Sequence, residues 1–265
     1  MFRTLIVIVA ALVLAACSRE PRAGQPDGPL VIGASAVPHA EVLAYVEPML
    51  RARGVQLEVR VFDDYLQPNL ALADGRLDAN YFQTAPYLEQ ANRNYGFDLV
   101  AITAVHVEPL GAYSLAYDDL EDLPEGARVA IPNETTNSGR ALMLLQRAGL
   151  IRLTDPDNAL STLEDVVDNP RRLDIRDMEA EILPRILNQV DLAVINTNYA
   201  LDAGLSPRRD ALIIESGASP WANLLVTRAD NRDDPRVAVL ASVLRGPDAR
   251  AFIEREYGGA VIPAG

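Results

Sequence analysis

The chain contains no lysine, so all 24 of its basic residues are arginine. Lysine Schiff-base chemistry is thereby excluded. A single cysteine leaves no partner for an intrachain disulfide. The two histidines, His39 and His106, stand far apart in sequence. No His-x-Glu-x-x-His, Cys-x-x-Cys or other dense ligand cluster occurs, which argues against a catalytic metal. A Gly-x-Ser-x-Gly elbow, a Gly-x-Gly-x-x-Gly turn and a P-loop are also missing. Carboxylates are plentiful, but Asp63-Asp64 and Asp118-Asp119 read as solvated turn residues rather than acid–base pairs. Positive charge is scarce: 24 basic residues face 37 acidic ones, a net charge of −13. Such a surface repels nucleic acid and anionic lipid. These absences favour binding over turnover: no enzyme, no cofactor, no metal and no nucleic-acid partner are expected.

What is present begins at the N-terminus. Arg3 precedes an apolar stretch from Leu5 to Ala16, and Leu14-Ala15-Ala16-Cys17 closes it. A charged start, an apolar middle and small residues at the end form a signal peptide. The apolar part is too short to span a bilayer as a helix. Its end resembles a bacterial lipobox, and the resemblance implies cleavage before Cys17 and diacylation of the Cys17 sulfur. The other reading is an ordinary signal peptide with an incidental cysteine. Loss of residues 1–16 takes Arg3 away and makes the remainder one charge more negative. Membrane attachment must then come from the lipid and not from a basic patch. The protein is placed on the extracytoplasmic side of the cell envelope. Residues 17–28 are polar and rich in proline and glycine, a flexible tether.

The folded part starts at the apolar run Leu30-Val31-Ile32-Gly33. A helix is expected over His39–Arg53 behind Pro38, then a strand over Leu57–Phe62. Next come a helix over Pro68–Asp74, a strand over Leu77–Tyr81, a helix over Pro86–Tyr95 and a strand over Leu99–Val105. The rhythm restarts with a strand at Arg128–Pro132 and a helix over Asn137–Ala148. Leu163–Val167 reads as helical, Leu173–Met178 as a strand, Ala180–Leu187 as a helix and Asp191–Ile195 as a strand. Strands at Ala211–Glu215 and Asn223–Thr227 follow, with helices over Pro235–Leu244 and Asp248–Tyr257. The alternation gives an α/β fold of two lobes, each a mostly parallel sheet covered by helices. Residues 29–108 and 220–265 form the first lobe and 109–219 the second. The chain crosses near Val107–Gly111 and returns near Ser216–Trp221. Ligands favour the cleft between such lobes.

Four stretches carry more aromatic and amide groups at strand ends than a core requires. The first runs from Phe62 to Asn69 and includes Tyr65. The second is Asp78 to Leu88, with Phe82 and Tyr87 around a strand-to-helix turn. These rings serve either packing or a pocket for an apolar or thioether side chain. The third is Pro132-Asn133-Glu134-Thr135-Thr136-Asn137-Ser138-Gly139-Arg140. Thr136 or Asn137 can cap the helix. Arg140 sits in the first turn, where a cation opposes the helix dipole, so an anionic partner explains it better. That partner is a bound carboxylate, or the arginine makes a surface salt bridge. The fourth is Val194 to Ala200 together with Ser219-Pro220-Trp221-Ala222-Asn223. Asn196 either bonds a ligand backbone or caps a helix.

These blocks, in this order, resemble the NlpA/MetQ family of lipoproteins, the methionine-binding components of ABC importers. The resemblance rests on Asn80 to Leu88, Pro132 to Arg140, Ala193 to Ala200 and Ser219 to Asn223. It extends from about Val31 to Ala260. It implies a two-lobed, periplasmic-binding-protein-like fold that closes over a free amino acid, L-methionine or a relative. It also implies delivery to a membrane permease with its ATPase, by a protein that works as a monomer. Arg140 would pair with the ligand carboxylate, assisted by Asn137. Asn196 and Asn223 would bond the amino or carboxylate group, and Tyr65, Phe82 and Tyr87 would enclose the side chain. Two positions depart from the family. Thr84 replaces the usual histidine, making the pocket smaller or wetter. Glu108 replaces the usual aromatic before Pro109 and could hold a ligand ammonium or a cationic side chain, or face solvent. A different amino acid, a small dipeptide, or an adhesion or envelope role are the alternatives.

Overall fold

Short apolar runs with amphipathic helices between them pair here into two main sheets. The computed structural model describes residues 28–216 and 221–265. The leader, Cys17, the tether up to residue 27, and Ser219 and Pro220 of the fourth block lie outside the described residues. Chain order opens with β1 (Leu30–Ala34), α1 (Glu41–Arg51), β2 (Leu57–Val61), α2 (Gln67–Ala73), β3 (Ala79–Thr84), α3 (Ala85–Tyr95) and β4 (Leu99–Val107). It continues through β5 (Gly111–Tyr113), β6 (Arg128–Pro132), α4 (Thr135–Arg147), β7 (Arg152–Leu153), β8 (Val166–Asp168), β9 (Asp174–Met178) and β10 (Leu192–Ile195). Then follow α5 (Thr197–Asp202), α6 (Pro207–Asp210), β11 (Ala211–Ile214), β12 (Ala222–Arg228), α7 (Pro235–Leu244), α8 (Pro247–Tyr257) and β13 (Ile262–Pro263).

The first sheet has the order β13-β4-β12-β3-β1-β2 and the second β11-β5-β10-β6-β9. In the first, β1 pairs in parallel with β2 and β3, and β12 enters antiparallel between β3 and β4. In the second, β6 lies parallel to both β9 and β10, while β5 runs against β10 and β11. Each lobe thus keeps a parallel core with a reversed strand inserted where the chain crosses between lobes. β1 is buried along its whole length, which is why it reads as an unbroken apolar run.

Several local expectations shift for physical reasons. The first helix begins at Glu41, because an irregular turn over Ala36–Ala40, kinked at Val37, precedes it. β3 runs on to Thr84 and carries Phe82 to the end of the sheet. Leu163–Val167 is one 3-10 turn running into β8: a Thr162–Asp165 capping box closes the turn, and Val166-Val167 extend. Ala180–Ile186 is a 3-10 run interrupted by Pro184 rather than an α-helix. Among the described residues no helix is long and apolar enough to cross a membrane.

The lobes have separate cores. Leu30, Ile32, Val46, Leu50, Leu240 and Ile253 belong to one, and Ile131, Leu142, Leu145 and Leu192 to the other. A third cluster joins them: Tyr65 and Phe82 of the first lobe pack with Tyr113, Ile195 and Tyr199 of the second. The Ala36–Ala40 turn meets α5, and α3 meets α4. Side-chain hydrogen bonds cross as well, among them Tyr65 Oη donating to Asn198 Oδ1 at 2.6 Å and Tyr199 Oη to the Asp63 carbonyl at 2.8 Å. The lobes are closed on each other.

Candidate functional site

Strand ends and helix starts converge where the lobes meet. β3 brings Phe82 and Thr84, and α3 brings Tyr87. The crossing after β4 brings Glu108, and the start of α4 brings Asn137 and Arg140. Asn196 stands between β10 and α5, and Asn223 sits at the start of β12. With Tyr65 these line one cleft of about 380 Å³, its open mouth included. All nine side chains singled out from the sequence therefore share a single cavity. Gln83, Thr197 and Asn198 line it too. They sit next to Phe82 and Asn196 inside the same motifs, and that adjacency was the signal for them.

One wall is aromatic. Tyr65 and Phe82 lie with centroids 6.0 Å apart, Tyr87 meets Phe82 edge-on at 5.9 Å, and Tyr199 backs Tyr65 at 5.0 Å. Tyr87 Oη donates to the Tyr65 carbonyl at 3.0 Å and fixes the wall. Beneath it is a buried amide network. Asn69 Nδ2 donates to Gln83 Oε1 at 2.9 Å, and Asn80 Nδ2 and Gln83 Nε2 both donate to Asn69 Oδ1. Asn80 and Gln83 of the second motif therefore brace α2 against β3, so that part of the motif is structural.

The opposite wall is polar. Arg140 is buried and tied to buried Glu215: Nε lies 2.9 Å from Oε1, and Nη2 2.6 Å from Oε2. Nη2 also donates to the Glu108 carbonyl at 2.6 Å, and the guanidinium lies 5.1 Å from the Trp221 ring centroid. The anionic partner expected for Arg140 is thus met within the chain by Glu215. Nη1 is the one guanidinium nitrogen with no acceptor among the described residues. Glu215 Oε2 additionally accepts from Leu110 N, pinning the crossing strand.

None of the three cap candidates, Thr136, Asn137 and Asn196, makes a capping bond. α4 starts at Thr135, so Thr136 and Asn137 fall inside its first turn. Asn196 stands at the N-cap of α5 without a capping bond. Its Nδ2 donates to Asn137 Oδ1 at 3.3 Å, and its Oδ1 is buried with no partner among the described residues. A buried acceptor left over in the cleft suits a ligand that brings donors.

Glu108 is buried, and its Oε1 lies 2.6 Å from His106 Nε2 and 3.2 Å from His39 Nε2. Among the described residues these three form the one group whose metal-ligand atoms lie within 4.8 Å of one another. His106 Nε2 bonds Glu108 Oε1 and His39 Nε2 bonds Asn223 Oδ1, while His39 Nδ1 is buried with no partner among the described residues. Burial lowers His39 to about 4 and His106 to about 3, and raises Glu108. Glu134, at the head of α4, is pushed up to about 7 by burial.

The signs oppose. A histidine with a lowered folded pKa gives stability that is full above its unfolded pKa and fades as pH falls. A carboxyl with a raised folded pKa does the reverse, so the wild-type curve is flattened. The clean readout is a variant. Relative to wild type, His106→Gln should gain about 1.4 kcal/mol per pH unit as pH falls from 6.5 to 4. Urea unfolding at three pH values measures it, and a constant difference contradicts neutral burial.

Two α/β lobes closed on a cleft with an aromatic wall and a polar wall define a solute-binding protein. The chain belongs to the NlpA lipoprotein family, whose model matches residues 30–265. It is 38% identical to the methionine-binding lipoprotein MetQ of Bacillus subtilis, over 99% of this chain and 98% of that protein. It is 36% identical to the D-methionine-binding lipoprotein MetQ of Escherichia coli K12, over 98% and 96%. A solved nutrient-binding protein from Burkholderia cenocepacia, bound to methionine, superposes with a TM-score of 0.86 at 40% identity. That match covers 89% of this chain and 100% of the other. Lipoprotein Tp32 from Treponema pallidum gives a TM-score of 0.85 at 40% identity, covering 89% and 98%.

Proposed function

We propose that the protein is a lipid-anchored solute-binding protein that captures methionine or a close relative for an ABC importer. The carrying observation is the cleft, with a tied arginine, a buried carboxylate, an orphan amide acceptor and an aromatic cage in one cavity between lobes. Arg140 Nη1 and Asn137 take the ligand carboxylate. Glu108, Asn196 Oδ1 and Asn223 receive its ammonium. Tyr65, Phe82 and Tyr87 enclose the side chain, where a thioether gains contacts with ring edges. Thr84 closes the end of the cage. Residues 29–108 with 220–265 act as one lobe and 109–219 as the other, and the ligand stabilises closure by touching both. Cys17 carries the lipid on the extracytoplasmic side. The monomeric chain has no P-loop, so a partner permease and its ATPase supply the energy. Thr84, where the family usually has histidine, favours a second reading in which a more polar amino acid is the cargo.

The test is thermal unfolding of residues 18–265, first unfolded and refolded to strip carried-over ligand, across L- and D-amino acids and methionyl dipeptides. A cargo at 100 times its dissociation constant should stabilise by about 2.7 kcal/mol. A shift with methionine supports the first reading, and a shift with a polar amino acid alone supports the second. No shift with any compound rejects both.

A further inference from the structure

Glu108 is held in a frame that no sequence motif announces. His106 and His39 reach the same oxygen, Oε1, from β4 and from the turn before α1. His39 Nε2 also lies 3.0 Å from Asn223 Oδ1, and Tyr81 Oη bonds His106 Nδ1. His39, His106 and Tyr81 are buried to within 1%. The rings pack on one another: His39 stands 4.7 Å from Tyr81 and 5.0 Å from His106. The bonds fix the tautomer. Tyr81 has one proton to give, so His106 Nδ1 accepts it and Nε2 carries the imidazole hydrogen toward Glu108. His39 Nε2, facing two oxygens, is likewise a donor. Both imidazoles stay neutral, so they orient the carboxylate without cancelling its charge. An arginine in either place would cancel it.

We infer that His39 and His106 are positioning residues: both stand against Oε1 of Glu108, hold its carboxylate at the cleft wall, and so make the site select ligands that bear a primary ammonium. This rests on the amino-acid reading above. Each imidazole acts through Glu108 and touches no ligand itself. The same three residues offer donor atoms to a divalent metal, but a metal between them would have to displace the imidazole hydrogens that Nε2 of His106 and of His39 carry.

The experiment is calorimetry with methionine and with 4-(methylthio)butanoate, the same molecule without its amine. Wild type should prefer methionine strongly. His106→Leu and His39→Leu should each weaken methionine at least about tenfold, the effect of one hydrogen bond to a charged group. They should leave the deaminated compound within about twofold, because its binding does not use Glu108. His106→Gln, which restores an N–H donor, should recover most of the loss. Tyr81→Phe removes only the hydroxyl that sets the His106 tautomer, and keeps the test open if the leucine variants fail to fold. It should weaken methionine selectively.

Equal losses for both ligands, or unchanged methionine affinity in every folded variant, overturn the inference and leave the binding function standing. A wild type that binds no amino acid defeats the function first and this inference with it. Zn²⁺ titrated alone should give no binding heat. A stoichiometric Zn²⁺ site lost in His39→Leu would assign the cluster to a metal instead.

Discussion

Arg140→Ala is expected to abolish ligand binding and also to cost about 3–5 kcal/mol of folding stability. The second effect comes from Glu215. Its carboxylate is buried and takes three of its four close bonds from Arg140 and the fourth from Leu110 N. Removing the guanidinium leaves a buried negative charge held by Leu110 N alone. Arg147 Nη2, 3.9 Å from Glu215 Oε1, is half exposed and too far to replace it. An arginine that served the ligand alone would leave the fold intact on removal. This one also serves Glu215, so lost binding and lost stability must be separated. Arg140→Ala with Glu215→Gln does so. The double variant should recover most of the stability and none of the binding. Urea unfolding and calorimetry on both variants measure the two effects. Full stability in the single variant would show that solvent reaches Glu215.

Gly139→Val, on α4 beside the cleft residue Arg140, should be strongly damaging. A Cβ built on Gly139 would stand 2.2 Å from the Ala159 carbonyl oxygen and 3.0 Å from Ser161 N, both backbone atoms. The loop after β7 lies directly on α4 there, so the loop or the helix must move. Overpacking of this kind costs about 1–3 kcal/mol, and more where backbone is the obstacle. Arg140 is the next residue, so the displacement carries into the cleft. Denaturant midpoints should fall for Gly139→Ala and further for Gly139→Val, with ligand affinity falling in the same order. Equal midpoints would mean that the loop yields freely.

Residues whose roles depend on near neighbours were legible in the sequence. α7 falls at Pro235–Leu244 as its periodicity indicates, behind an Asp234 cap that accepts from Arg236 N. The cleft residues were legible because amides and aromatics at strand ends exceed the needs of a core. Pairing over long distance was not. Glu215 lies 75 positions from Arg140 and ends a strand that reads as plain core. His39 and His106 look like isolated histidines until β4 and the Ala36–Ala40 turn bring them to Glu108. β12 reads as one more strand, and nothing local marks it as the antiparallel insertion between β3 and β4. Hydrophobic periodicity reports which face is buried, but it carries no record of which partner buries it.

The Tyr65–Asn198 and Tyr199–Asp63 bonds join the lobes without any ligand atom. They favour the shut form equally in loaded and unloaded molecules, and only the ligand's own contacts add to the difference. Under the proposed importer role, a permease that senses outline alone would receive a signal with a background. Tyr65→Phe would lower that background by loosening the shut form in the unloaded protein. It would also shorten the time that cargo stays held. Those two tyrosine hydroxyls set the compromise between fidelity of the signal and grip on the cargo.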